Sequence, residues 1–193
     1  FTSALPLKLA QIPVGANNPG GQGAVSEAWP QAGVVGAVAA TACQACQPRR
    51  MSSHTLDYGL DAVLPFMRER IQGFAASEGM QAIGLRRGGV LVAGAAYEGF
   101  NGRNLWVHLA GEPGARWMTR DFLRAGFAYP FLVCGVQRVS GYVNESNALA
   151  RRLNEHLGFR EEARLRGAAP DGGDVILMVM WRDECRHIKL PAR

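Results

Sequence analysis

The sequence predicts an α/β fold, more narrowly of the α+β kind, on three observations. Residues 57 to 75 and 120 to 135 carry apolar side chains at helical spacing, and residues 80 to 110 break into three short β-prone runs separated by turn signals. Residues 138 to 182 read as strand, capped helix, glycine stop and closing hairpin. The expected order is α, β, β, β, α, β, α, β, β, with any first strand near residues 52 to 58.

In "DYGLDAVLPFMRERIQGFA", residues 57 to 75, Leu60, Val63, Leu64, Met67, Ile71 and Phe74 recur at helical intervals against Arg68, Glu69, Arg70 and Gln72. That pattern marks a surface helix with one apolar stripe. Pro65 is best tolerated in its first turn, where no intrahelical partner waits for an amide proton. "MQAIGLRR" and "VLVAGAAYE" flank Gly88-Gly89, a hairpin signal, and Asn101-Gly102 turns the chain into "NLWVHLA". The loop "GEPGARWMTR" then leads to "RDFLRAGFAYPFLVCG", where Leu123, Phe127 and Phe131 repeat every four residues. Thr119 can cap this helix, and Pro130 should bend or shorten it. After the strand "RVSGYV" comes a helix with Leu149, Leu153 and Leu157 on one face, begun by Asn144 or Ser146 as cap. Gly158 supplies the left-handed stop, Phe159 can fold back on Leu153, and "REEARLRG" and "DVILMVMWR" close the chain as a hairpin.

A chain of 193 residues holds one domain and an appendage. Its 48% hydrophobic and 19% charged residues mark a globular protein, and no apolar run approaches the roughly 18 residues that span a bilayer. The net charge of +5 welcomes an anionic ligand but falls short of what obligate nucleic-acid binders carry. Residues 1 to 50 hold four charged side chains, are rich in Ala, Gly and Gln, and include the aperiodic "NNPGGQG". They read as an irregular arm on a domain of residues 51 to 193, with assembly or docking, through a protein partner or a second copy, as the expected role. Cys43 and Cys46 form an isolated CxxC without the second pair that zinc requires, and Cys134 and Cys185 read as buried or idle thiols. No metal site is expected, and the compartment implied is a reducing one, the cytoplasm.

The element order, the glycine-bearing loop before a long helix, and "VNESNALARRLNEHLGF" resemble the GCN5-related N-acetyltransferases. Within that family the likeness is to phage and prophage members, carried by "AIGLRRGGVLVAGAAYEG", "RWMTRDFL", "YPFLVCGVQRVSGYV" and "DGGDVILMVMWRDEC". The resemblance covers residues 51 to 193 and implies a mixed sheet whose two central parallel strands, 104 to 110 and 138 to 143, splay apart to admit acetyl-CoA. A splayed pair exposes main-chain donors and acceptors for a ligand, and a helix N-terminus favours the pyrophosphate. The cofactor contacts it implies are Leu109, Gly111, Gly114, Ala115, Arg116, Trp117, Thr119 and Arg120, with Asn147 reaching the cofactor and Asn144 left as a cap. Where many members carry a tyrosine to protonate the departing thiolate, this chain has Asn154.

Amide formation from a thioester needs a neutral amine, a polarised carbonyl and a proton for the thiolate. The catalytic candidates are Glu112, just past the central strand, and His108 on it, with Tyr142 and Glu98 weaker; an exposed loop acid and a packed strand histidine are the plain alternatives. The acceptor pocket is expected from residues 57 to 80 and the closing hairpin. The function implied is an acetyl-CoA-dependent N-acyltransferase acting on a primary amine of a small molecule or protein. The alternatives are a silent phage structural protein of this fold, associated with the virion and docked by the arm, and a nucleobase-modifying enzyme.

Overall fold

The computed structural model describes residues 54–189. The expectations for residues 1 to 50, including Cys43, Cys46 and the docking arm, lie outside the described residues. Seven strands form one sheet: β1 (His54–Asp57), β2 (Gln81–Arg87), β3 (Val90–Glu98), β4 (Asn104–Gly111), β5 (Arg138–Asn144), β6 (Arg160–Leu165) and β7 (Val175–Trp181), in spatial order β1-β2-β3-β4-β5-β7-β6. Three helices cover it: α1 (Leu60–Arg70), α2 (Arg120–Ala128) and α3 (Ala148–Leu157). β1 to β4 pair antiparallel in succession, β4 and β5 pair parallel, and β5, β7 and β6 return to antiparallel pairing. This is the expected order, with β1 in the place allowed for a first strand.

The β2–β3 turn sits at Gly88 and Gly89 with φ of 57° and 82°, the two left-handed positions that a tight two-residue hairpin demands. On one face of the sheet, α1 drops Val63, Phe66 and Met67 onto Ala82, Ala96 and Ala110. It lies close because Gly84 and Gly94, cross-strand partners, leave room for it: a Cβ on Gly94 would stand 2.7 Å from Val63 Cγ1 and 2.8 Å from Met67 Sδ. On the other face, α2 and α3 bury Phe122, Phe127 and Leu157 with Tyr97, Leu105 and Val139 of the sheet.

Pro65 lies inside α1 rather than in its first turn, because the helix begins only at Leu60. The carbonyl deprived of its amide is that of exposed Asp61, where water can replace the bond. α1 also ends earlier than its apolar pattern. Ile71 is extended, with φ −119°, and Ile71 and Phe74 bury themselves from the segment that follows.

Pro130 shortens α2 as expected, and the chain continues as a single π turn over Tyr129–Val133. The missing Pro130 amide frees the carbonyl of Gly126, and the buried Tyr97 hydroxyl donates to it at 2.7 Å. Burial drives the Tyr97 phenol far above its ordinary range, so it remains a donor.

On α3 the buried stripe is Ala150, Asn154 and Leu157, while Leu149 is 59% exposed, so the leucine face expected from spacing is rotated. Gly158, at φ 106°, stops the helix, and Phe159 N–H returns to Asn154 O at 2.9 Å.

Candidate functional site

β4 and β5 pair through only three residues: Asn104↔Arg138, Leu105↔Val139 and Trp106↔Ser140. Beyond them no ladder joins the strands, although β3 follows β4 to Gly111 and β7 follows β5 to Asn144. Each strand is thus held on its outer edge and open on the facing one. A polar clasp holds the closed end: buried Ser140 Oγ donates to Asn104 Oδ1 at 2.6 Å, and Arg138 Nη2 donates to Ser140 Oγ at 3.1 Å while pairing with Glu162.

On the α2 and α3 side the wedge opens into a cleft of about 560 Å³ of atom-free space, part of it open solvent. Val107 and Leu109 of β4, Gly141 of β5, Leu123 and Phe127 of α2 and Asn154 of α3 line it. Asn154 is the polar exception in an otherwise apolar wall and is itself buried.

The loop after β4 is built from within. The Trp117 ring lies against Gly111, where a Cβ would stand 2.2 Å from the indole Cε2, and meets Phe122 edge on at 6.3 Å. Ala115, Trp117 and Thr119 donate their amides to the carbonyls of Glu112, Ala115 and Trp117 at 3.1, 3.0 and 2.7 Å. Thr119 caps α2, its hydroxyl accepting from Phe122 N at 3.3 Å, and the first-turn amides of Arg120 and Asp121 have no intrahelical acceptor. Gly114 takes φ 79°, and the side chains of Arg116 and Arg120 are exposed. Leu109 and Ala115 pack against the main core, Leu109 also facing the cleft.

The cap of α3 falls on the other asparagine of the pair from the one expected. Asn147 is the cap of α3, its Oδ1 accepting from Ala150 N at 3.0 Å. Asn144 ends β5 and cannot serve as cap, because the helix starts at Ala148, too far on for its side chain to reach the first free amides; its Oδ1 is buried and has no hydrogen-bond partner among the described residues.

His108 and Glu112 lie on the opposite, α1 side of the sheet. His108 is 3% exposed, its Nε2 donating to Glu98 Oε1 at 2.6 Å, with Phe74 at 5.3 Å and Tyr142 at 6.3 Å edge on to its ring. Glu98 also accepts from Ser77 Oγ at 2.7 Å. The hydrogen bond from His108 holds this carboxyl below the ordinary glutamate range, against the opposing pull of burial. Glu112 is committed to Arg70, whose guanidinium also bonds Glu69 and the Phe66 carbonyl and stacks on the Phe66 ring at 3.7 Å.

Along the sequence Glu98 stands out less than His108. The signal was there in principle: Glu98 pairs with Trp106 and Ala96 with His108, so Glu98 and His108 are diagonal neighbours on one face, but that register depends on a five-residue loop. Among the described residues no group of three or more His, Cys, Asp or Glu side chains could hold a metal ion, and no helix is long and apolar enough to cross a membrane.

A mixed sheet parted between its two parallel strands and flanked by helices on both faces is the fold of the GCN5-related N-acetyltransferases, and solved structures of that fold superpose on this chain. Spermidine N-acetyltransferase SpeG from Vibrio cholerae, in a mutant form, matches with a TM-score of 0.57 at 16% identity, over 68% of this chain and 95% of its own. Its dodecameric structure in an intermediate state gives 0.56 at 18%, over 68% and 95%, and its complex with manganese ions 0.57 at 16%, over 68% and 94%. At such identities the likeness establishes the fold. No family model matches the sequence, and no curated protein matches it.

Proposed function

We propose that the chain is an acyl-CoA-dependent N-acyltransferase that moves an acetyl group onto a primary amine. The observation that carries this reading is the three-residue pairing of β4 with β5, followed by a wedge that opens into an apolar cleft. Acetyl-CoA, when bound, supplies the thioester electrophile. The residues present suit it: free main-chain groups of β4 can pair with an amide-bearing arm, apolar walls take its methylenes, and the α2 N-terminus with Arg116 and Arg120 suits phosphate. Trp117 in this reading supports the loop from beneath, and Gly111, Gly114, Ala115 and Thr119 shape its backbone.

The amine would approach from the α1 side, where His108 stands. A neutral imidazole whose Nε2–H is committed to Glu98 carries its lone pair on Nδ1, which makes His108 the better base and Glu98 the residue that sets its tautomer. Glu112 is engaged by Arg70 and would have to leave it to reach an amine. Asn154 can orient a ligand in the cleft but is no general acid at neutral pH, and this departure favours the silent-scaffold alternative. Thioester turnover decides between them. Because the structural neighbours are named for spermidine, polyamines are the first acceptors to assay.

Acetyl-CoA at a hundredfold excess over its Kd is expected to stabilise the fold by about 2.7 kcal/mol, read as a rise in Tm. A Tm unchanged at millimolar acetyl-CoA would overturn the cofactor assignment.

Asn147 carries two roles in this reading, cap and cofactor contact. Asn147→Ala should cost about 1 kcal/mol of stability, and Asn147→Ser, which keeps a cap, only a few tenths. Weaker acetyl-CoA binding by Asn147→Ser at an unchanged Tm would mark the second role; equal binding would leave only the cap.

A further inference from the structure

We infer that the segment following β7 completes a cationic pocket beside the cleft, and that this pocket grips the phosphorylated nucleotide end of the thioester carrier, making it the element that selects among carriers. This rests on the function proposed above and names how that site recognises its ligand.

After β7 the chain makes a short turn, Arg182–Glu184, buries Cys185 and then crosses the ends of two helices. Arg186 donates to the carbonyl of His156, and His187 Nε2 donates to that of Leu157 at 2.8 Å, so the segment satisfies orphan carbonyls at the C-terminus of α3. The His187 ring lies flat against Phe127 of α2, 4.7 Å between centroids and 11° from parallel. The segment therefore bridges α3 and α2 in a fixed position.

Between it and α2 lies a pocket of about 1040 Å³ of atom-free space, much of it open to solvent. Among the described residues its charged lining is basic: Arg120 and Arg124, one helical turn apart on α2, face Arg186 and Lys189 of the segment. The nearest acids in sequence are engaged elsewhere, Asp121 with His54 at 3.3 Å and Glu184 with Arg160 at 3.2 Å. Four cations gathered in one pocket repel one another, and a polyanion relieves that repulsion. Arg120 makes the same demand locally, since a cation at a helix N-terminus opposes the dipole unless an anion sits there. Met118 and Ile188 add apolar surface on which a purine could rest. Leu123 lines both this pocket and the apolar cleft, so one ligand can occupy both. An extended thioester arm ending in a nucleotide phosphate has this succession of apolar and anionic parts.

The test titrates the full chain with coenzyme A, dephospho-coenzyme A and adenosine 3′,5′-bisphosphate, comparing wild type, the double variant Arg124→Ala/Lys189→Ala, and Arg152→Ala as a charge control on exposed α3 surface. Wild type should bind the bisphosphate and prefer coenzyme A over its dephospho form about tenfold. The double variant should lose that preference and bind the bisphosphate about tenfold more weakly, the control neither. Coenzyme A binding that persists in the double variant with its preference intact overturns this inference and leaves the proposed function standing. Failure of wild type to bind coenzyme A at all overturns the proposed function, and this inference with it.

Discussion

Gly141→Val is expected to weaken acetyl-CoA binding severely while the protein still folds. Gly141 lies on β5 where the wedge has opened, and a Cβ built on it would stand 3.4 Å from Val107 O and 3.9 Å from Val107 Cγ1. A methyl group therefore fits with little adjustment, but the two γ-carbons of valine project further into the gap between the strands. The backbone there is an ordinary strand and not among the positive-φ glycines, so a β-branched residue suits it. Calorimetry should show Kd for acetyl-CoA raised by about a hundredfold or more, the cost of overpacking a slot that must hold a ligand. Gly141→Ala should bind more nearly as wild type does. Tight binding by Gly141→Val would mean that the ligand lies elsewhere.

His108→Gln should lower kcat by about a hundredfold or more with little change in KM for acetyl-CoA, as loss of a general base on the amine side predicts. Glu98→Gln should give a smaller loss and a changed pH profile, because an amide can no longer hold the imidazole in one tautomer as an anion does. The Glu98 carboxyl is held below the ordinary glutamate range in the folded protein, chiefly by the hydrogen bond from His108. A depressed acid contributes stability that is present above the unfolded pKa and lost as pH falls through the folded one. The pair thus persists at neutral pH and weakens only in acid below the ordinary glutamate range. Unchanged kcat in His108→Gln would make His108 a packed strand histidine and nothing more.

The pairing of glycines and apolar runs made the order of elements readable. Gly88-Gly89, Gly158 and Pro130 act through local backbone chemistry, and each does what its residue type requires. The splay of β4 from β5 was reached only through resemblance, since nothing in the alternation of either strand distinguishes a paired edge from an open one. Burial also rewards side chains whatever backbone presents them: Ile71 and Phe74 continue the α1 pattern from the turn that follows the helix, Phe74 N–H bonding back to Ile71 O at 3.2 Å. The stripe on α3 was misread because Leu149 is apolar and exposed whereas Asn154 is polar and buried against the cleft. His108 with Glu98, and α2 with the segment after β7, come together only through tertiary register. No spacing along the chain announces them.

The bond from Tyr97 to the Gly126 carbonyl bears on ligand binding. It ties the floor of the cleft, on β3, to the helix that roofs it, at the point where Pro130 removed the usual intrahelical bond. Both ends of this strut are groups of the protein itself, so the spacing of floor and roof is tied by a hydrogen bond within the fold. Under the proposed function, a roof tied to its floor in this way lowers the ordering cost that would otherwise weaken binding of the acyl carrier.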